Sequence, residues 1–228
     1  MYCVVPLAGP DLYSEKFQVF KPMLPYNQGR LLSEILKNRS WYVEVEKFIF
    51  VLLEQPGINE LKKWLEHEFS NSSILMVSSL TQGALLSALA GISLIENFNN
   101  PIIFDLADID FLGDIDPSWI FENEQVGGIV PYFCSNLSKF SYLIQDPVNN
   151  NIIGAVEKHV ASEMASAGVY IFRDTHVFLE SVIDSIKHRK SYQYNGILYL
   201  CPSMNGVIKL GKEVVGRKVE SAVWDFNS

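Results

Sequence analysis

A chain of 228 residues, 48% hydrophobic and 19% charged, is long enough for one α/β domain with a substantial core and too apolar to be disordered. Its formal net charge of −8 argues against a nucleic-acid partner, which would need a basic stripe on the surface. Three cysteines without CxxC spacing and four histidines without HxxxH or HExxH spacing argue against a disulfide framework and a zinc centre. Cys3, Cys134 and Cys201 each sit in an apolar context and read as buried structural thiols. His67, between Glu66 and Glu68, reads as a surface residue. The chain opens without a basic segment leading into an apolar one, and its most apolar stretch, 74–95, is broken by Ser78, Ser79, Thr81, Gln82 and Ser93. No membrane insertion and a cytoplasmic location are therefore expected.

In chain order, the apolar run 3–7 predicts a buried parallel strand. Leu7, Ala8 and Gly9 lie at its carboxyl end, where a small side chain lets backbone amides approach an anion. Lys21, opening Lys21-Pro22-Met23, brings a cation to the same edge, the edge where ligands bind in open α/β sheets. Two readings fit: an anion cradle of amides plus a lysine, as in nucleotide-handling sites, or an ordinary turn with a solvated lysine. Residues 29–37 predict a helix, 48–53 a strand, 59–69 a helix opened by an Asn59 cap, 73–77 a strand and 83–97 a helix. A strand at 102–106 follows.

From there the pattern changes. Short strands are predicted at 125–133, 141–144, 152–157 and 167–172, separated by turn-rich segments, and a helix at 176–188. The fold class is α/β: a Rossmann-like mixed, mainly parallel sheet flanked by helices. No linker or repeat interrupts it, so 1–228 reads as one domain, with a nucleotide-binding half at 1–116 and a second half at 117–228.

Three clusters carry candidate chemistry. Asp105, Asp108, Asp110, Asp114 and Asp116 fall within twelve residues, just past an apolar strand. Along an extended segment Asp108 and Asp110 point the same way, so both can face one Mg²⁺ while phosphates complete its shell. The other reading is an acidic loop that caps the next segment. Asp114 and Asp116, beside Pro117, read as turn residues. Thr81-Gln82-Gly83-Ala84 opens a helix, with free amides for a ligand or simple capping by Thr81. Glu157-Lys158, followed by Gly168, offers a carboxylate for hydroxyls and an ammonium for a phosphate, or a solvated ion pair.

Taken in order, these segments resemble the sugar-1-phosphate nucleotidyltransferases of the dTDP-glucose pyrophosphorylase type. The motifs are VVPLAGP at 4–10, KPML at 21–24, TQGA at 81–84, IIFDLADID at 102–110, KFSYL at 139–143, AVEK at 155–158, SAGVYIF at 166–172 and LYLCP at 198–202. The resemblance spans nearly the whole chain. It implies a nucleotide-diphospho-sugar transferase fold and a Mg²⁺-dependent reaction in which a phosphorylated acceptor attacks a nucleoside triphosphate and pyrophosphate leaves, feeding surface polysaccharide synthesis. It makes 117–228 the acceptor-binding half and allows a homo-oligomer. It places Leu7, Ala8, Gly9, Gln82 and Gly83 at the nucleotide. Lys21 would meet phosphates, Glu157, Lys158 and Gly168 the acceptor, and Asp108, Asp110 and Asp225 the metal.

The signature loop departs from the family pattern. Asp11 stands where the second glycine is expected, Tyr13 where the arginine is, and His159 replaces the proline after Glu157-Lys158. At ~4 Å and an effective dielectric of ~20, a like charge beside the phosphates costs roughly 4 kcal/mol before screening. Lys16 is the nearest cation that could substitute. This loop motivates the alternative of a non-catalytic relative that binds a nucleotide or metabolite as a regulator or subunit. Asp108-Ile109-Asp110 motivates a further one, a glycosyltransferase.

Overall fold

The structure is a computed structural model that describes residues 1–222. Ten strands form one mixed sheet. They are β1 (Tyr2–Leu7), β2 (Lys47–Leu53), β3 (Ser72–Val77), β4 (Ile102–Asp105), β5 (Val126–Cys134), β6 (Tyr142–Gln145), β7 (Ile152–Val156), β8 (Met164–Ser166), β9 (Val169–Phe172) and β10 (Glu213–Lys218). The order is β7-β6-β8-β5-β9-β4-β1-β2-β3, with β10 added to β5. β4, β1, β2 and β3 are parallel throughout. β9 crosses antiparallel onto β4 and joins the two halves of the chain into one sheet.

The strands read as continuous apolar runs because both faces are covered. Cys3, Val5, Phe48 and Phe50 point to one face, under α1 (Leu31–Lys37) and α2 (Ile58–Glu68). Val4, Ile49, Val51 and Phe104 point to the other, under α3 (Ala84–Gly91), α4 (Thr175–Lys187) and α5 (Met204–Lys209). Pro6 is tolerated in a central strand because the β4 ladder engages only residues 2–4 of β1.

Several boundaries differ from the sequence expectation, each for a local reason. Gly57, at φ +78°, is the N-cap of α2, so Asn59 lies inside the helix and does not cap it. α3 ends at Gly91, followed by a 3₁₀ turn at Ile92–Leu94. A Cβ at Gly91 would come within 2.6 Å of Val4, so the helix rests directly on β1 there. The strand expected at 167–172 is β9 and begins only at Val169, because Gly168, at φ +76°, breaks the extended run between it and β8. Cys134 is exposed at the end of β5, unlike the buried Cys3 and Cys201, because the last residue of a strand can turn outward. Asp116 caps the following 3₁₀ turn through the Ser118 amide, as its place beside Pro117 predicts. The sequence does not predict α5 or β10. The sequence VIKLGKEVVGRK is too interrupted by charge and glycine for either period to stand out. Among the described residues no helix is long and apolar enough to cross a membrane.

Candidate active site

At the carboxyl ends of β1 and β4 a cleft of about 990 Å³ opens towards the β6–β9 side of the sheet. Leu7, Ala8 and Gly9 leave β1 along its wall. Lys21 is carried to it by a short 3₁₀ turn whose Pro22 and Met23 are buried and whose Lys21 N–H donates to Leu12 O at 2.8 Å. Gly83 reaches the cleft at the start of α3. It adopts φ +121°, and a Cβ there would lie 2.0 Å from Leu198 O, so only glycine fits. Gln82 is exposed and its side chain is not part of the lining, while its carbonyl accepts Leu198 N–H at 3.0 Å. Thr81 does not cap an amide; its hydroxyl donates to Gly83 O and pairs with Ser87 Oγ at 2.7 Å.

Asp108 is aimed by a buried bracket beneath it. Asp105 is fully buried and accepts from Arg39 Nε at 2.8 Å, from Arg39 Nη2 at 3.2 Å and from the Ala107 amide at 2.8 Å. Arg39 Nη2 also donates to Ile109 O at 2.9 Å, and the guanidinium lies 3.9 Å from the Phe111 ring centroid. Held at both ends, the chain turns at Ala107 with φ +52° and presents Asp108 to the cleft. A Cβ on Gly168 would stand 2.6 Å from Asp108 Oδ1, and its φ of +76° is one that favours glycine. The turn has a second consequence. Asp110 does not point with Asp108, because the segment is not extended. It accepts instead from Tyr26 Oη at 2.9 Å and from Asn38 Nδ2 at 3.3 Å, outside the cleft lining. Asp225 lies outside the described residues.

On the opposite wall stand Glu157, Lys158 and Gly168. Ser141 Oγ donates to Glu157 Oε2. Burial, with the Asp108 charge adding to it, pushes the Glu157 carboxyl up to about 7, against the Ser141 hydrogen bond and the Lys158 charge. Protein crowding and the neighbouring Asp105 charge likewise push Asp108 up to about 6. Its carboxylate nevertheless opens onto the cleft surface, and water there works against the shift.

No protein-family model and no curated protein matches the sequence. Solved structures do match the fold. The nucleoside-diphosphate-sugar pyrophosphorylase from Vibrio cholerae RC9 superposes with a TM-score of 0.78 at 18% identity, over 96% of this chain and 91% of that one. UDP-glucose pyrophosphorylase complexed with UDP-glucose gives 0.72 at 18%, over 100% and 93%. The inositol-1-phosphate CTP transferase from T. maritima gives 0.69 at 16%, over 98% and 89%. This is the nucleotide-diphospho-sugar transferase fold. At these identities the likeness speaks for the architecture, and the site must be judged on its own residues.

Within that fold, most of the sequence-nominated residues meet: Leu7, Ala8, Gly9, Lys21 and Gly83 on one wall, Asp108 below, and Glu157, Lys158 and Gly168 opposite. Gln82 and Asp110 do not join them. Asp11 Oδ2 pairs with Lys21 Nζ at 3.1 Å, so this acid of the loop after β1 faces the cleft lysine. Pro10 removes one backbone donor from the loop. Tyr13 packs edge-on against Phe20 at 5.2 Å and Lys16 lies over Phe17; neither lines the cleft. Ser141 and Tyr199 lie within the KFSYL and LYLCP motifs, but the sequence assigns them no role, and Arg39 and Tyr194 lie in no motif, because the contacts of all four are made across the fold.

The raised Glu157 pKa has a thermodynamic consequence. Between the unfolded value near 4.5 and the folded value of about 7, the unfolded state loses its proton first, so this group lowers stability as pH rises through that window. Glu157→Gln removes the effect. The variant should be close to wild type at pH 4.5 and more stable at pH 8 by about 1–3 kcal/mol, discounted for partial exposure. Urea unfolding of both proteins at the two pH values measures it; equal differences at both would reject the assignment.

Proposed function

We propose that this protein is a nucleotidyltransferase: a phosphate oxygen of a small phosphorylated acceptor attacks the α-phosphorus of a nucleoside triphosphate, and pyrophosphate leaves. The observation that carries this reading is the meeting, in one cleft, of the Ala8-Gly9 loop, Lys21, Asp108 and the Glu157-Lys158 pair. The two walls suit two anionic ligands brought together in line. Such a reaction needs mainly positioning and charge neutralisation from the protein. Lys21 would neutralise phosphate oxygens on one wall and Lys158 the acceptor phosphate on the other, while Glu157 would accept hydrogen bonds from acceptor hydroxyls.

Asp108 would hold Mg²⁺. One or two carboxylates with substrate phosphates are its usual environment, and Asp108 is a carboxylate open to the cleft. Among the described residues no three candidate ligands cluster, so substrate phosphates would have to supply most of the ion's shell. Held there, Mg²⁺ would supply positive charge to offset that of the phosphates. Pyrophosphate release from a panel of triphosphates with sugar phosphates and other small phosphates tests the proposal; no release from any combination would reject it.

The Asp11–Lys21 ion pair favours a second reading, binding without turnover. In either case the carboxylate must yield to an incoming phosphate. Asp11→Gly should therefore tighten triphosphate binding by roughly 5-fold, a modest figure because Asp11 is 71% exposed and well screened. Calorimetry on the two proteins measures this. Unchanged affinity would mean that phosphates do not approach Lys21. Binding in both proteins with pyrophosphate release in neither would establish the second reading.

A further inference from the structure

The lysines of the cleft are not equivalent. Lys21 is engaged by Asp11, whereas Lys158 joins no ion pair among the described residues. Its ammonium lies between two aromatic rings, 5.3 Å from the centroid of Tyr194 and 5.3 Å from that of Tyr199. Both rings line the cleft. Its backbone is held too: Lys158 N donates to Phe140 O at 3.1 Å, at a φ of +51° that few side-chain-bearing residues adopt.

The backbone at Tyr194 belongs to a small hairpin, and Tyr199 follows two residues after it. Tyr194 and Ile197 exchange backbone hydrogen bonds of 3.0 Å around Asn195-Gly196, both at positive φ, which is the geometry of a tight two-residue turn. Arg189 Nη2 secures the tip by donating to Gly196 O at 2.7 Å. Past the hairpin, Leu198 N donates to Gln82 O and Leu198 O accepts from Leu85 N, at 3.0 and 3.3 Å, which ties the strap to the start of α3. One segment thus spans from the glycine turn at 83 to the ammonium of Lys158.

A lysine on a flexible stem loses rotamer freedom when it binds an anion. Two aromatic faces offset that loss beforehand by holding the ammonium through their quadrupoles while leaving its remaining hydrogens for a ligand. We propose that Tyr194 and Tyr199 are positioning residues that hold the Lys158 ammonium for the phosphate monoester of the acceptor. The inference rests on the nucleotidyl-transfer reading of the cleft and adds to it the device that sets acceptor affinity. The hairpin residues are exposed and Tyr199 is only part-buried, so substitutions there leave the core untouched.

The test is calorimetry on the full chain with methyl phosphate as probe, and in parallel with the triphosphate that binds wild type best. Lys158→Gln, which removes the ammonium, should abolish probe binding. The Tyr194→Leu/Tyr199→Leu double variant should weaken the probe by roughly 10-fold. Tyr194→Phe/Tyr199→Phe keeps both ring faces and should stay within about 2-fold of wild type. Triphosphate affinity should be unaltered in both double variants. Wild-type probe affinity in the leucine variant would overturn the inference while leaving the nucleotide reading standing. So would equal losses in the leucine and phenylalanine variants, or a parallel loss of triphosphate. Failure of wild type to bind any triphosphate would instead overturn the reading beneath it, and the inference with it.

Discussion

Lys21→Ala should lower nucleotidyl transfer by roughly 10²- to 10³-fold, the usual cost of removing one preorganised charge from a reacting phosphate or oxyanion. The fold should survive. The lysine turn is held by its backbone bond to Leu12 and by the buried Pro22 and Met23, none of which needs the ammonium. Asp108→Ala should produce a loss of similar size, since Asp108 is a carboxylate open to the cleft and packs nothing in the core. Steady-state rates of pyrophosphate release, alongside thermal unfolding of each variant, make the comparison. Normal turnover in either variant would reject the role assigned to that residue. If wild type binds triphosphate without turning over, the same substitution at Lys21 should weaken that binding instead.

The largest stability effect is expected at Arg39, far from any solvent. Its side chain is 1% exposed, the Asp105 side chain is fully buried, and Nη1 has no hydrogen-bond partner among the described residues. Arg39→Met leaves Asp105 charged and unmatched in the core, a change that costs about 3–5 kcal/mol. For a domain of this size each kcal/mol shifts Tm by about 2–4 °C, so Tm should fall by about 6–20 °C. Arg39→Met/Asp105→Asn should recover part of the loss, because the second change removes the orphaned charge. A drop below about 1 kcal/mol in the single variant would show that the pair does not hold this turn. The consequence reaches the site, since the same bracket sets the direction of Asp108.

Much of the parallel half is legible without coordinates. The runs 3–7, 48–53, 73–77 and 102–106 are apolar because each is covered on both faces, and each is a strand of the parallel core. The short motifs of the cleft, Ala8-Gly9, Lys21, Gly83, Asp108, Glu157-Lys158 and Gly168, could be nominated because loops at strand ends carry small or charged residues for local reasons. α5 and β10 were lost because their stability comes from docking. β10 pairs with β5 over residues 213–218, and no period in its own residues announces that.

Residue type and order therefore determined the α/β class and the groups that could handle phosphates. Only the tertiary structure decided how those groups meet. It separated Asp108 from Asp110, because a positive-φ turn at Ala107 breaks the alternation that an extended segment would have kept. It set Asp11 against Lys21, and it brought Tyr194 and Tyr199 to Lys158 across some forty residues of chain. The physical reason is the same in each case. A side chain's direction follows from backbone dihedrals and packing partners distant in sequence, and neither is encoded in the spacing of the residues that carry the chemistry.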